Sequence, residues 1–196
     1  IDEAFLGVKG SPAELAAMGR SIKATVRRNV GVPVCVGIGP TKTLAKLANK
    51  WAKNNKAFGG VCHWDSIPQE VRQGLLERLS VDEVWGIAGR LTRRLNVMGI
   101  FTIADLVRAD PVMIRNKFNV VVMRTVLELQ GTPCIPMEEE RIGRDQLSFS
   151  RSFAKPITTA AGIRQVMSVY GQQASARLAK HGLQAKVLTA FAGTSH

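Results

Sequence analysis

A short glycine-containing loop that leads directly into a lysine-rich amphipathic helix constrains this chain more than any other feature. The loop, residues 37–40, ends at Thr41, whose side chain can cap a helix predicted to continue to about Asn54. Two sets of side chains fall on opposite faces of that helix. The basic set is Lys42, Lys46, Lys50 and Lys53, and the apolar set is Leu44, Leu47, Ala48 and Trp51. The sequence therefore predicts one buried face and one cationic face.

The cationic face of this helix has two interpretations. Lysines placed together repel one another unless a polyanion neutralises them, so the face suits a triphosphate or a nucleic-acid backbone. The helix N-terminus beside it also suits an anion. The alternative is a lysine face exposed to water. The segment is not a Walker A loop, because Thr41 rather than a glycine precedes Lys42.

The chain as a whole is strongly basic. Its 196 residues include 27 lysines and arginines against 15 aspartates and glutamates, a net charge of +12. This charge favours nucleic acid over a membrane as partner, because no long basic amphipathic helix carries an aromatic face. The three cysteines, Cys35, Cys62 and Cys134, form no CxxC pair, which argues against a disulfide framework or a zinc site and suits a reducing cytosol.

Three blocks follow one another along the chain. Strands alternate with helices in residues 1–66, helices fill residues 67–140, and residues 141–196 show a strand, a helix and a final strand. The predicted strands are 1–6, 33–36, 61–64, 146–153 and 188–193, and the predicted helices outside the middle block are 13–28, 41–54 and 159–181. The pattern predicts an α+β protein, and the strand at each end suggests a fragment. The core anchors are predicted to include Trp64, Trp85 and Phe118.

A tight turn between two short helices is predicted within residues 84–95. The turn contains Gly86, Ile87 and Gly89, and the second helix points Leu91 and Leu95 inward. Such a turn presents backbone N–H groups to a phosphate without reading a base. The positive charge beside it comes from Arg90, Arg93 and Arg94. An ordinary αα-hairpin is the alternative, but the three arginines favour binding.

Two further candidate motifs lie near the ends of the chain. Asp2 and Glu3 are adjacent carboxylates, which at a strand end can share a Mg²⁺ ion, although an exposed acidic pair is the simpler interpretation of these residues alone. Near the other end, serines alternate around Arg151 on a predicted strand, a pattern that offers contacts to a phosphate backbone.

Taken in order, these motifs resemble those of the Y-family translesion DNA polymerases. Residues 1–5 match the palm motif with two metal-binding carboxylates, and residues 37–49 resemble the nucleotide-binding loop and palm helix. The later matches are residues 84–87 with the thumb hairpin, 118–129 with a thumb helix and 150–153 with the opening strand of the little finger. The resemblance implies the C-terminal part of a palm over 1–66, a small all-helical thumb with a helix-hairpin-helix over 67–140, and the start of an α/β little finger over 141–196.

The resemblance implies template-directed DNA synthesis across damaged bases, as in the error-prone SOS response. Asp2 and Glu3 would bind two Mg²⁺ ions together with a further aspartate from a preceding segment. The nucleotide contacts would come from Thr41, Lys42 and Lys53, and the DNA contacts from Gly86, Ile87, Gly89, Arg90, Arg93, Arg94 and Arg151. The family hairpin usually reads Gly-Ile-Gly, so here either Ala88 takes a strained positive φ or the turn shifts to Gly89.

The resemblance also implies parts of a parent protein that this chain lacks, namely an N-terminal palm strand, the fingers, the rest of the little finger and a clamp-binding peptide. We therefore expect the fragment alone not to polymerise. The implied partners are primer–template DNA, a deoxynucleoside triphosphate, the UmuD′ dimer, the RecA filament and the sliding clamp, in the bacterial cytoplasm and nucleoid. The alternatives are a non-catalytic DNA-binding paralogue or accessory factor on the same scaffold and an unrelated helix-hairpin-helix repair protein.

Overall fold

The chain divides into two compact units, Ile1–Met137 and Glu138–His196. The structure is a computed structural model, and it describes residues 3–137 of the first unit and 146–193 of the second. The division falls close to the boundary predicted at residue 141. No division falls at residue 67, because the predicted palm and thumb segments share one hydrophobic core that runs from Leu44 to Leu129.

The first unit begins with a helix, a small sheet and a second helix in three layers. These elements are α1 (Pro12–Val30), β1 (Val36–Ile38), α2 (Lys42–Asn54) and β2 (Val61–His63), with β1 parallel to β2. Side chains alternate along a strand, so Val36 and Ile38 lie against Gly19 of α1 while Gly37 lies against α2. The two helices therefore cover opposite faces of the sheet.

The helices of this region begin and end at residues with clear local causes. Ser11 accepts a hydrogen bond from the Glu14 N–H, the Glu14 carboxylate accepts one from the Ser11 N–H, and this reciprocal pair starts α1. Gly31, with φ of 77°, ends it. Thr41 caps α2 by accepting from the Leu44 N–H at 3.2 Å. The predicted helices over 13–28 and 41–54 are confirmed.

Five short helices complete the first unit. They are α3 (Gln69–Arg78), α4 (Arg90–Val97), α5 (Ile103–Arg108), α6 (Pro111–Lys117) and α7 (Val120–Leu129). Their fully buried side chains include Leu95, Ile103, Leu106, Ile114 and Val126. The prediction of helices throughout this block is confirmed, and α7 packs against α2 as well as against α5 and α6. Helix α2 therefore belongs both to the sheet layer and to the helical layer.

Several predicted strands are wrong. Residues 3–6, 146–153 and 188–193 form no strand in the described part of the chain, and β1 begins at Val36 rather than at residue 33. Alternation of apolar and polar side chains is only half of what a strand needs, because its N–H and C=O groups also require a neighbouring strand. Trp64 is buried as predicted, but Trp85 is 38% exposed and is not a core anchor.

The second unit contains α8 (Ala160–Lys180), which confirms the helix predicted over 159–181. Thr159 caps it by accepting from the Gly162 N–H at 3.1 Å. The ring centroid of Tyr170 lies 4.9 Å from that of Phe149, and the Arg177 guanidinium lies 5.1 Å from the Phe149 centroid. An aromatic cluster therefore holds the segment before α8 against the helix. None of the described helices is both long and apolar enough to cross a bilayer.

Candidate functional site

The two faces of α2 are arranged as its sequence predicts. Leu44, Leu47, Ala48 and Trp51 are all buried, and Trp51 stacks on Trp64 with 5.1 Å between ring centroids. The lysines lie on the other side, but they are not all free cations. Lys46 pairs with Glu3 and Lys50 pairs with Glu83. The face is thus less positive than the sequence alone suggests, although exposed pairs of this kind add little stability and can exchange for another anion.

A cavity of about 380 Å³ opens beside this lysine face. Its walls come from α2, from the segment before α4 and from the end of α7. The lining residues include Lys46, Lys50, Lys53, Asn49, Glu83 and Trp85. Among the ion pairs of the described residues, none involves Lys53. The cavity therefore offers a cation without a paired carboxylate, together with two lysines whose partners are surface acids.

The N-terminus of α2 already holds an anion, which is the carboxylate of Glu128 from α7. Oε2 of Glu128 accepts from the Thr43 N–H at 2.8 Å and from the Thr43 hydroxyl at 3.0 Å. The Thr41 hydroxyl donates to the Glu128 carbonyl at 2.9 Å. The N-terminus of α2 does attract an anion, as expected, but that anion is a carboxylate of the protein itself.

This arrangement changes the roles assigned to the first turn of α2. Thr41 is only 4% exposed, and its hydroxyl both caps the helix and donates to Glu128, so it presents no free group to a nucleotide. Lys42 donates to the Pro136 carbonyl at 2.6 Å and lies 5.1 Å from the Phe5 ring centroid. Any anion bound at α2 is therefore expected along its side, near Lys53, rather than at its end.

Hydrogen bonds keep the Glu128 carboxyl ionised although it is buried. Burial on its own would raise the pKa of this carboxyl. The N–H groups of Cys134, Thr43 and Ile135, with the Thr43 hydroxyl, outweigh burial and bring the pKa below its ordinary value. The residue was missed from the sequence because Thr43 and Glu128 are 85 residues apart, and no local spacing connects them.

Gly37 of β1 and Gly39 of the loop before α2 serve close packing. A Cβ on Gly37 would lie 2.1 Å from the Ala45 carbonyl oxygen and 2.1 Å from the Asn49 nitrogen, and a Cβ on Gly39 would lie 2.9 Å from the Ala45 nitrogen. Both glycines therefore let the loop approach the backbone of α2. In this structure they position the helix.

The acidic pair at the start of the chain is described only in part, because Asp2 lies outside the described residues. The carboxylate of Glu3 pairs with Lys46, and its side chain is 48% exposed. Glu3 thus lies next to the lysine face of α2. In residues 3–137 and 146–193, no group of three His, Cys, Asp or Glu side chains is arranged to hold a metal ion.

An aromatic contact connects this acidic segment with the predicted hairpin. The ring centroids of Phe5 and Trp85 lie 5.5 Å apart, with the rings tilted by 47°. Trp85 immediately precedes Gly86 of the turn and also lines the cavity. The contact explains why Trp85 stands outside the core: its ring covers the segment that follows Glu3.

The backbone angles of the hairpin show that glycines, and not Ala88, take the positive φ values of the turn. Gly86 has φ of 85° and Gly89 has φ of 50° with ψ of −106°, whereas no residue other than glycine has a positive φ in the described chain. The turn is therefore shifted to Gly89, and Ala88 is unstrained. Ile87 is 3% exposed and lies in the core, so its side chain does not reach a ligand.

The arginines after the turn differ in their surroundings. Arg90 and Arg93 are exposed, at the first and fourth positions of α4. Arg94 instead donates to the Lys117 carbonyl at 2.6 Å and lies 4.6 Å from the Phe118 ring centroid, which ties α4 to α6. In the second unit, Arg151 is exposed and lies in an irregular segment. The DNA roles of all four arginines stay predictions.

Comparison with known proteins gives two matches to one family. The impB/mucB/samB family matches residues 1–50, and the impB/mucB/samB family C-terminal domain matches residues 144–196. The chain is 39% identical over 197 residues to Protein SamB and 38% identical over 198 residues to Protein UmuC, both of Salmonella typhimurium. Each alignment includes all of this chain and 46% of the relative, so the chain spans about half the length of the curated relatives it matches.

A solved structure is similar as well. The insertion ternary complex of Dbh DNA polymerase matches with a TM-score of 0.50 and 26% identity, over 66% of this chain and 36% of that chain. The motifs, the mixed fold and these matches together define a segment of the Y-family polymerase class. The chain belongs to the impB/mucB/samB family, and the resemblance to Y-family polymerases of the UmuC type is confirmed.

Proposed function

We propose that the whole protein to which this chain belongs carries out template-directed DNA synthesis past damaged bases, by nucleotidyl transfer assisted by two Mg²⁺ ions. Family membership supports the reaction class. The observation that carries the proposal for these residues is the cavity that brings Lys46, Lys50 and Lys53 to one opening, with Glu3 paired to Lys46 at its side. A carboxylate beside several lysines suits metal-assisted nucleotidyl transfer, in which a triphosphate reacts and pyrophosphate leaves.

We assign the catalytic carboxylates to Asp2 and Glu3, with a further aspartate from a preceding segment. The residue types fit Mg²⁺, which takes hard oxygen ligands from one or two carboxylates, and the Glu3 carboxylate is accessible to a cation because it already pairs with Lys46. When bound, the two ions would stabilise the attacking 3′-oxygen and the leaving pyrophosphate. Glu3 would then hold the metal in place of its Lys46 partner, and Lys46 would be available for phosphate.

We assign the nucleotide contact mainly to Lys53. Its ammonium group would act as a point charge on the triphosphate, and the pairing of Lys46 and Lys50 with acids leaves them as weaker, exchangeable contacts. The hairpin would hold duplex DNA through the backbone N–H groups around Gly86 and Gly89. The side chains of Arg90 and Arg93 would contact neighbouring phosphates, and Arg151 would contact the template strand.

In this proposal residues 1–66 belong to the palm, 67–140 to the thumb and 141–196 to the little finger. The partners proposed for the whole protein are primer–template DNA, a deoxynucleoside triphosphate, the UmuD′ dimer, the RecA filament and the sliding clamp. Its proposed place is the bacterial cytoplasm, at the nucleoid.

Primer extension by the full-length parent tests the proposal. With Mg²⁺ and all four deoxynucleotides, we expect it to extend a primer opposite an undamaged and a damaged template base. Glu3→Gln should lower the rate on the order of 100-fold or more while DNA binding is retained, because a carboxamide is a poor ligand for Mg²⁺. Normal DNA binding without any extension by the wild-type protein would instead favour the non-catalytic paralogue.

The 196-residue chain by itself provides a second test. Asp2 and Glu3 are two of the three carboxylates that the proposal requires, so we expect these 196 residues alone to give no primer extension above background. Extension by the isolated chain would overturn the assignment of a third metal ligand to another segment.

A further inference from the structure

Glu128 is an unusual residue for a helix that packs in a hydrophobic core. It is fully buried, and none of the ion pairs in the described residues includes it. Oε1 accepts from the N–H groups of Cys134 and Ile135, both at 3.0 Å, and Oε2 accepts from the N–H and hydroxyl of Thr43. A buried carboxylate is expensive unless such bonds satisfy it, and an apolar side chain would pack here without that requirement.

The Glu128 carboxylate fixes the geometry between two walls of the cavity. Thr43 lines the cavity from α2, and Leu129, the residue after Glu128, lines it from α7. Apolar contacts alone allow two helices to slide by small amounts. The N–H groups of Cys134 and Ile135 hold Oε1 beside α7, and the two hydrogen bonds from Thr43 to Oε2 then define the register of α2 against α7.

That register also places the lysine face. Thr43, Lys46, Lys50 and Lys53 line the same cavity from successive turns of α2, so the anchored residue and the cations share one rigid rod about 15 Å long. A small rotation at Thr43 moves each ammonium group relative to a bound anion. Displacements of about 1 Å at such a site can reduce activity by up to roughly 100-fold.

We propose that Glu128 is a positioning residue for nucleotide binding, which holds α2 against α7 so that Lys53 and its neighbours face the triphosphate. This inference rests on the proposed function and adds to it a residue that touches neither nucleotide nor DNA. This role of Glu128 concerns the nucleotide and not DNA. The positions of the hairpin residues are fixed separately, by the Gly86–Gly89 turn and by the hydrogen bond from Arg94 of α4 to α6.

The test uses the full-length parent with Glu128→Gln, which keeps the shape of the side chain but turns an NH₂ group toward N–H donors. We expect the KM for deoxynucleotide to rise about tenfold and the Kd for primer–template DNA to stay within about twofold. The matched control is Asp105→Asn, which removes a helix-capping carboxylate on α5 away from the cavity. In Asp105→Asn, the KM for deoxynucleotide and the Kd for primer–template DNA should both stay within about twofold of the wild type.

A second variant covers the case in which Glu128→Gln does not fold. Thr43→Val keeps the branched shape and removes only the hydroxyl that donates to Glu128, so the KM should rise about threefold, with Thr43→Ser close to wild type. Hydrogen exchange should show faster exchange of the Thr43 amide in Glu128→Gln than in Asp105→Asn.

The outcomes separate this inference from the proposed function. A wild-type parent that extends no primer would overturn both. A wild-type parent that extends primers, with unchanged KM in Glu128→Gln and Thr43→Val, would overturn the positioning role alone. Equal changes in KM and in the Kd for DNA would also overturn it, because they would indicate a general loss of stability.

Discussion

The carboxylate of Glu128 accepts a hydrogen bond from the backbone N–H of Thr43 at 2.8 Å, although the two residues are 85 positions apart in the chain. The bond joins the last turn of α7 to the first turn of α2. Together with the hydrophobic core that continues across both, it joins residues predicted as separate palm and thumb segments into one compact unit. It also fills the helix end at which a sequence pattern alone places a phosphate.

The stability of the first unit should depend on pH through this carboxylate. The pKa of Glu128 is lower in the folded chain than its ordinary value of 4.5. The ionised group therefore contributes its full stability above about pH 4.5, and that contribution is lost as pH falls through the folded pKa. We expect urea unfolding to show a loss of stability in acid that is smaller in Glu128→Gln.

At neutral pH the same variant should be less stable than the wild type by about 2–4 kcal/mol, because buried N–H groups lose a charged acceptor. Asp105 is a second source of acid sensitivity. Hydrogen bonds from the backbone and side chain of Thr102, with smaller contributions from Phe101 and Arg108, lower the pKa of Asp105 to about 2, so Asp105→Asn should also reduce the loss of stability in acid. Identical acid sensitivity of the wild type and Glu128→Gln would contradict the assignment.

Gly37→Ala should strongly destabilise the chain. The added Cβ would lie 2.1 Å from backbone atoms of both Ala45 and Asn49, and backbone atoms of a packed helix cannot move aside as a side chain can. We expect a loss of about 3 kcal/mol or more, measured by urea unfolding.

Gly74→Ala is the matched control for that substitution. Gly74 lies inside α3, has no atom within 4 Å of an added Cβ and has no positive φ. Alanine is the better helix former, so we expect a gain of about 0.5–1 kcal/mol. Similar effects of the two substitutions would show that Gly37 is not held by close packing.

The hairpin should tolerate glycine at position 88 but not alanine at position 89. Gly89 adopts φ of 50° with ψ of −106°, a conformation open essentially to glycine alone, whereas Ala88 has an ordinary negative φ. Gly89→Ala should weaken binding of the full-length parent to primer–template DNA about tenfold or more, since the turn must change shape. Ala88→Gly should change it about twofold or less. Fluorescence anisotropy measures both, and the reverse order would show that the turn has its register at Ala88.

The three thiols should react at different rates. Burial raises the pKa of Cys62 to about 11, and its side chain is fully buried, whereas Cys35 and Cys134 are half-buried. Since the thiolate is the reactive form, Cys62 should react with Ellman's reagent at pH 8 only after the chain unfolds. Cys62→Ala should leave the number of fast-reacting thiols in the native chain unchanged. A decrease would show that Cys62 is accessible.

The features that could be predicted from the sequence are those fixed by neighbouring residues. The amphipathic pattern of 42–54 and the cap at Thr41 depend on spacings within one helix, and both are confirmed. The turn at Gly86–Gly89 also depends on neighbouring residues, and only the position of its second positive-φ residue had to be determined from the backbone angles.

The predictions that failed depend on partners far away in the chain. The alternation at 146–153 predicts a strand, but in the described residues no neighbouring strand pairs with it. The lysine spacing of α2 predicts a face of four cations, but Glu3 and Glu83 pair with two of the four. Glu128 shows the same limit, because one of its partners, Thr43, is 85 positions away in the chain.

The central claim is that the lysine face of α2 serves the nucleotide and the hairpin serves DNA. It is tested most directly by steady-state extension and DNA-binding measurements on the full-length parent with Lys53→Ala and Arg93→Ala. Lys53→Ala should raise the KM for deoxynucleotide about tenfold with little change in the Kd for DNA, and Arg93→Ala should do the opposite. Equal effects of each substitution on both constants would contradict the account.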